Sequence, residues 1–176
     1  MLFNSIEFIL FFLPLTLIGF YYISYRRQYS LAVLWLVIAS FIFYSWWNPI
    51  YLWLITFSIL FNYGIGYCLN TCKHITVNLL SLGYFKYANF FADNVNIVLG
   101  KNYHLETIIL PLAISFFTFQ QISYLVDAYR GETERSSFLH YCLFVLFFPQ
   151  LIAGPIVHHA QILPQFKHKH LYQFNA

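Results

Sequence analysis

Between Pro111 and Tyr129 polar side chains recur at helical spacing. Phe116, Gln120, Ser123, Tyr124 and Asp127 are separated by four, three, one and three positions, which at 100° per residue puts all five within an arc of roughly 100°. A carboxamide, a hydroxyl, a phenol and a carboxylate on one stripe of an apolar helix must find partners, because an unpaired polar group in an apolar medium is costly. The stripe therefore faces a bundle interior or a cavity. Two uses fit the pattern. It lines a substrate path, or it ties helices together, with Asp127 and Arg130 paired at the edge of the apolar zone.

A second feature lies downstream. Phe138 to Phe148 is intensely apolar, but Pro149 follows, then Gln150, Gly154 and Pro155. Each proline removes a backbone N–H and glycine loosens the chain. Backbone carbonyls freed by such a break cannot face lipid, so the bend is expected to be buried in protein or to line a watery cavity. A broken helix of this kind suits a binding site or pore, with Gln150 as a candidate lining residue. The alternative is the end of a span followed by a proline-rich exit loop.

Other groups carry less. His158, His159, His168 and His170 cluster late in the chain, but adjacent histidines point apart and no carboxylate follows Glu134. Cys142 lies across the break from them, so no metal site is expected and the segment reads as an interfacial loop. Cys68 and Cys72 share a helix face without further ligands and read as apolar packing. No Ser-His-Asp spacing, phosphate loop or dinucleotide fingerprint is present.

These residues are held in a chain of 176 residues that is 60% hydrophobic, 23% aromatic and only 9% charged. A soluble domain carries about 25% charged residues, and so few charges cannot cover a globule. The composition predicts an all-α, multi-pass transmembrane protein of about five to six membrane segments, one of them broken or re-entrant. It excludes disorder, and a net charge of +3 from 9 scattered Lys and Arg excludes a nucleic-acid face. Spans are expected at Leu2 to Ile23, Tyr29 to Trp47, Tyr51 to Leu69 and Ile108 to Tyr129. Asn48-Pro49 is a turn signal between the second and third. Ile75 to Leu99 either crosses or forms a membrane-surface or re-entrant element, since a straight crossing would put Lys86 near mid-membrane. The bias of positive charge toward the cytoplasm places Arg26, Arg27, Lys73, Arg130 and Arg135 inside and the N-terminus outside. Residues 1–176 read as one membrane-embedded unit, with 158–176 a polar tail or connection.

The two chemistry-bearing elements also carry a resemblance. Leu110 to Gly131, LPLAISFFTFQQISYLVDAYRG, and Phe147 to Val157, FFPQLIAGPIV, resemble two signatures of bacterial membrane-bound O-acyltransferases. The opening MLFNS, the belt FYSWW at 43–47 and FKYANFF at 85–91 are similar to further blocks of that family, in the same order. The chain is most similar to the alginate O-acetyltransferase branch, in the inner membrane, with the D-alanyl transfer branch of cell-wall polymer synthesis close by. The resemblance covers essentially the whole chain and identifies it as an N-terminal portion.

It implies an all-helical tunnel in which a histidine acts as general base while a cytoplasmic acyl donor, acetyl-CoA-derived or similar, gives its acyl group to a hydroxyl outside. The donor is a substrate and no bound cofactor is implied. None of the seven histidines here matches the catalytic one, which is expected beyond residue 176, so whether this chain is itself an enzyme stays open. Membrane lipid and acyl-carrier or polysaccharide-modifying proteins are the expected partners. The competing readings are a non-catalytic membrane scaffold and a small transporter.

Overall fold

A computed structural model describes residues 3–46, 48–65, 71–99, 111, 113–130 and 137–153, with backbone alone at 65, 71–74, 98, 99 and 151–153. Every regular element among the described residues is helical. A π-helical turn (Phe8–Phe12) leads into α1 (Leu13–Tyr25), followed by α2 (Tyr29–Ser45), α3 (Tyr51–Ile65) and α4 (Thr71–Leu99). Then come α5 (Ile114–Tyr129), α6 (Phe138–Leu146) and α7 (Phe148–Ala153).

Each boundary has a local cause. Pro14 cannot donate to the carbonyl four residues back, and its ring would crowd that carbonyl. The wide π turn occupies the turn just before it. Arg27 adopts φ 57 after the last turn of α1, the left-handed position that commonly ends a helix. Asn48 closes the next turn, its Oδ1 accepting from Ile50 N at 3.0 Å while its own carbonyl accepts from Tyr51 N at 3.2 Å. The turn expected at Asn48-Pro49 is present.

α2 is the hub, packing against α1, α3, α6 and α7. Ala32, Leu36, Ser40, Phe43 and Tyr44 repeat at three- and four-residue intervals and are all buried, as a core-facing stripe requires. Trp35 Nε1 donates to Thr16 O at 3.0 Å and stitches α1 to α2. The two helices meet closely at Gly19, where a Cβ would stand 2.5 Å from Trp35 Cε2.

Side-chain contacts set the helix directions. Asn62 of α3 meets Asn78 of α4, and Tyr51 meets Phe85 with ring centroids 6.4 Å apart. α4 therefore runs antiparallel to α3. Residues 75–99, undecided between surface and crossing, belong to one unbroken helix of 29 residues, about 43 Å long. The position of Lys86 bears on that choice. Lys86 follows the residue that touches the first residue of α3, so it sits at the end of the bundle and is exposed.

Tyr63 at the far end of α3 contacts Phe138 and Tyr141 at the start of α6, and Tyr141 contacts Tyr124 of α5. Arg26, Arg27 and Arg130 consequently share one end of the bundle. The opposite end holds the Asn48-Pro49 turn and an aromatic cluster of Phe3, Phe8, Phe12, Phe43 and Phe148.

Among the described residues one helix, Phe8–Tyr25, is long and apolar enough to cross a membrane. Tyr29–Ser45 and Tyr51–Gly64 are shorter apolar helices, and Phe138–Gln150 is a shorter apolar helical stretch that takes in α6 and the start of α7. Large exposed apolar side chains such as Phe11, Ile18, Trp53, Phe57 and Phe90 cover much of the outside.

Candidate functional site

The helix that carries the polar stripe begins at Ile114, later than the Ile108 start expected from composition, and Pro111 precedes it. Ala113 caps it in the left-handed region, φ 58 and ψ 20, a conformation costing a residue with a Cβ about 1–2 kcal/mol. Its carbonyl repays this by accepting from Phe116 N at 2.9 Å and Phe117 N at 3.1 Å.

Along α5 the stripe lies on one edge of the buried face. Gln120, Tyr124 and Asp127 are buried, whereas Phe116 and Ser123 are half-buried. The buried face extends the other way through Phe117, Gln121 and Leu125. Leu125, outside the polar stripe, is only 3% exposed. α5 is enclosed by α3, α4, α6 and α7, so more than half of its circumference meets protein.

The most developed polar constellation centres on Gln121, one residue off the stripe. Its Oε1 accepts from Ser58 Oγ at 2.6 Å and from Asn62 Nδ2 at 2.7 Å. Asn62 and Asn78 exchange amide bonds, Asn62 Nδ2 to Asn78 Oδ1 at 3.1 Å and Asn78 Nδ2 to Asn62 Oδ1 at 2.6 Å. Asn62 Nδ2 also reaches the Ser58 carbonyl at 2.8 Å. Three helices are thus joined through buried neutral amides, a common device where hydrophobic attraction between helices is weak. Sequence reasoning missed this network. The available signal was Ser58 and Asn62, four residues apart inside an apolar run.

Gln120 differs sharply from its neighbour. It is 1% exposed, yet neither its Nε2 nor its Oε1 has a hydrogen-bond partner among the described residues. Gln121 Nε2, Tyr141 Oη and Gln150 Nε2 are likewise buried and unpaired. These groups lie on α5, α6 and α7, which pack together, and Tyr141 touches the Tyr124 ring at 4.6 Å between centroids. Leaving a buried polar group unsatisfied costs about 1–3 kcal/mol, so this concentration is expensive for the fold. All of the unpaired groups are uncharged, a donor-rich set suited to neutral oxygen atoms.

The helix is interrupted ahead of Pro149. Phe147, φ −49 and ψ 104, interrupts the helix, two residues before the proline expected to break it. Pro149 in a continuous helix would crowd the Val145 carbonyl. Stopping at Leu146 and restarting at Phe148 puts the proline in a first turn, where its missing N–H does no harm. Tyr141 through Leu146, Phe148 and Gln150 are all buried, as a bend with freed backbone groups requires. Cys142 is a buried free thiol in this core. His158, His159, His168, His170, Gly154, Pro155 and Cys68 lie outside the described residues, as does the polar tail 158–176.

Among the described residues, an all-helical fold with an apolar exterior, a polar interior seam and a buried helix break defines the class. Comparison with known proteins narrows it. Over 96% of its length the chain is 41% identical to a peptidoglycan O-acetyltransferase of Helicobacter pylori. It is 38% and 37% identical, again over 96% of its length, to proteins named probable alginate O-acetylase AlgI from Pseudomonas aeruginosa and Azotobacter vinelandii. Over nearly its whole length the chain is thus homologous to part of these bacterial O-acetyltransferases. It spans 39%, 35% and 36% of the lengths of those three relatives. No family model and no solved structure matches it.

Proposed function

We propose that this chain forms part of a multi-pass inner-membrane O-acyltransferase that moves an acetyl group onto hydroxyls of a polysaccharide outside the cytoplasm. The observation that carries the reading is the similarity itself, which runs over 96% of the chain and so takes in both the stripe helix and the broken helix. The relatives' names point to alginate or peptidoglycan glycans as the acceptor class.

In this reading the bundle spans the bilayer with Arg26, Arg27 and Arg130 on the cytoplasmic side, in line with positive charge remaining inside. The stripe of Gln120, Ser123, Tyr124 and Asp127, edged by Phe116, forms part of the wall of a path between the two sides, with Gln150 at the helix break. A general base, the histidine implied by the family resemblance and expected outside these residues, takes the proton of the acceptor hydroxyl. The oxygen attacks the acyl carbonyl, an ester forms, and the donor's leaving group departs with a proton. The chain's own contribution is to orient the substrates and exclude water. Membrane lipid surrounds it, and acyl-carrier or polysaccharide-modifying proteins deliver the donor.

The test is a segment exchange. The matching part of an alginate O-acetylase is replaced by these 176 residues in a strain lacking its own enzyme, and polymer-bound acetate is measured. Acetate well above the empty-vector level is expected, and Asp127→Leu in the exchanged segment should lower it while Phe119→Leu, on the exposed face, should not. Background acetate from a stably inserted, correctly folded chimera would overturn the proposal.

A further inference from the structure

Gln120 and Gln121 are adjacent, identical in type and both buried, yet only Gln121 is used by the fold. Ser58 and Asn62 hold its carbonyl oxygen, whereas both ends of the Gln120 amide are unpaired among the described residues. A leucine at 120 would fill the same space without burying a polar group. The carboxamide is therefore a burden on folding unless it meets a partner from outside the bundle.

We propose that Gln120 is the ligand-holding residue of the stripe, and that it binds an uncharged oxygen: the carbonyl of an acyl group or a hydroxyl of a sugar. This rests on the reading of the stripe as a substrate path. The placement supports it. Gln120 lies one turn before Tyr124 and two turns before Asp127 on the same edge of α5. It is flanked by Phe116 and Ser123, which are half-buried. A change of side-chain rotamer moves the amide from the packed interior to this more open edge.

The chemistry supports it as well. Gln120 Nε2 donates to a carbonyl and Oε1 accepts from a hydroxyl. Tyr141 Oη and Gln150 Nε2, also unpaired, add donors from α6 and α7. No charge among these groups offsets the desolvation of an anion, and the Asp127 carboxylate further along the stripe disfavours one.

The experiment uses the whole chain in lipid nanodiscs and follows thermal unfolding of wild type, Gln120→Leu, Gln120→Met and Gln121→Leu. p-Nitrophenyl acetate serves as a neutral ester without a sugar, cellobiose as a neutral polyol without an ester, and inorganic phosphate as the anion. One of the neutral probes should raise the wild-type midpoint by about 2–4 °C, and phosphate should not. The ester acting alone identifies an acyl carbonyl, and cellobiose acting alone identifies an acceptor hydroxyl. Both Gln120 variants should melt at or above wild type yet lose the ligand-induced rise, whereas Gln121→Leu should melt clearly lower. The proposal is overturned if neither neutral probe shifts wild type, if the rise survives in the Gln120 variants, or if both variants melt as low as Gln121→Leu. A probe shift without acetate transfer in the segment exchange retains Gln120 as a ligand residue and discards the transferase reading.

Discussion

Ser40 of α2 hydrogen-bonds the backbone of Phe148, its Oγ accepting from Phe148 N at 3.3 Å across the bundle. The same hydroxyl donates to Leu36 O at 2.8 Å, so one buried side chain serves both as donor and acceptor. The N–H it captures is the one the helix break at Phe147 releases. A broken helix inside an apolar bundle is tolerable only when such groups are satisfied, and Ser40 supplies that satisfaction from a different helix.

Ser40→Ala should therefore expose the cost of the break. Loss of the acceptor leaves Phe148 N buried and unpaired, which is expected to cost about 1–3 kcal/mol. Ser45→Ala, whose exposed hydroxyl bonds only Ile42 O, should stay within about 0.5 kcal/mol of wild type. Thermal unfolding in detergent compares them, and equal midpoints would remove Ser40 from this role.

The amide exchange between Asn62 and Asn78 makes a separate prediction about coupling. Either residue alone changed to Ala takes the mutual amide bonds from its partner and should cost about 1–3 kcal/mol. Changing both should cost clearly less than the sum, because the mutual bonds are lost only once. A double-mutant cycle on unfolding midpoints reads this directly, and strict additivity would contradict the observed pairing.

Three helical glycines should respond in opposite directions to alanine. At Gly19 the new methyl meets the Trp35 ring at 2.5 Å, and overpacking of this sort costs about 1–3 kcal/mol. At Gly64 and Gly83 nothing lies within 4 Å, so alanine there should stabilise by about 0.5–1 kcal/mol through lower unfolded-state entropy. Gly19→Ala should also loosen the bond from Trp35 Nε1 to Thr16, visible as a shift in tryptophan fluorescence. An unchanged spectrum and midpoint would mean α1 and α2 are not in close contact there.

Topology is open to labelling. The exposed positions Ser30 and Ile50 sit at opposite ends of α2. Cysteines placed there in a background without the native cysteines should react with a membrane-impermeant maleimide from opposite sides, Ile50→Cys from outside. Labelling of both from one side would contradict the crossing.

How far each feature was legible depends on whether it is a property of one segment or of two. The helical class, the Asn48-Pro49 turn and the inward lean of Gln120, Tyr124 and Asp127 follow from local periodicity and turn chemistry, so the sequence alone determined them. The stripe alone does not mark Leu125 as buried, because a helix packed against four others buries a wider arc than its polar residues cover. The break was foreseen from Pro149, but its location at Phe147 depends on where Ser40 stands ready to accept a freed N–H. Lys86 looked costly because span lengths were judged one by one. Only the antiparallel pairing of α4 with α3, through Asn62 with Asn78 and Tyr51 with Phe85, carried it to the end of the bundle. The division between Gln120 and Gln121 was least legible of all. Two identical neighbours differ only in which helix each faces, and the sequence carries no record of facing partners until Ser58 and Asn62 are brought against one of them.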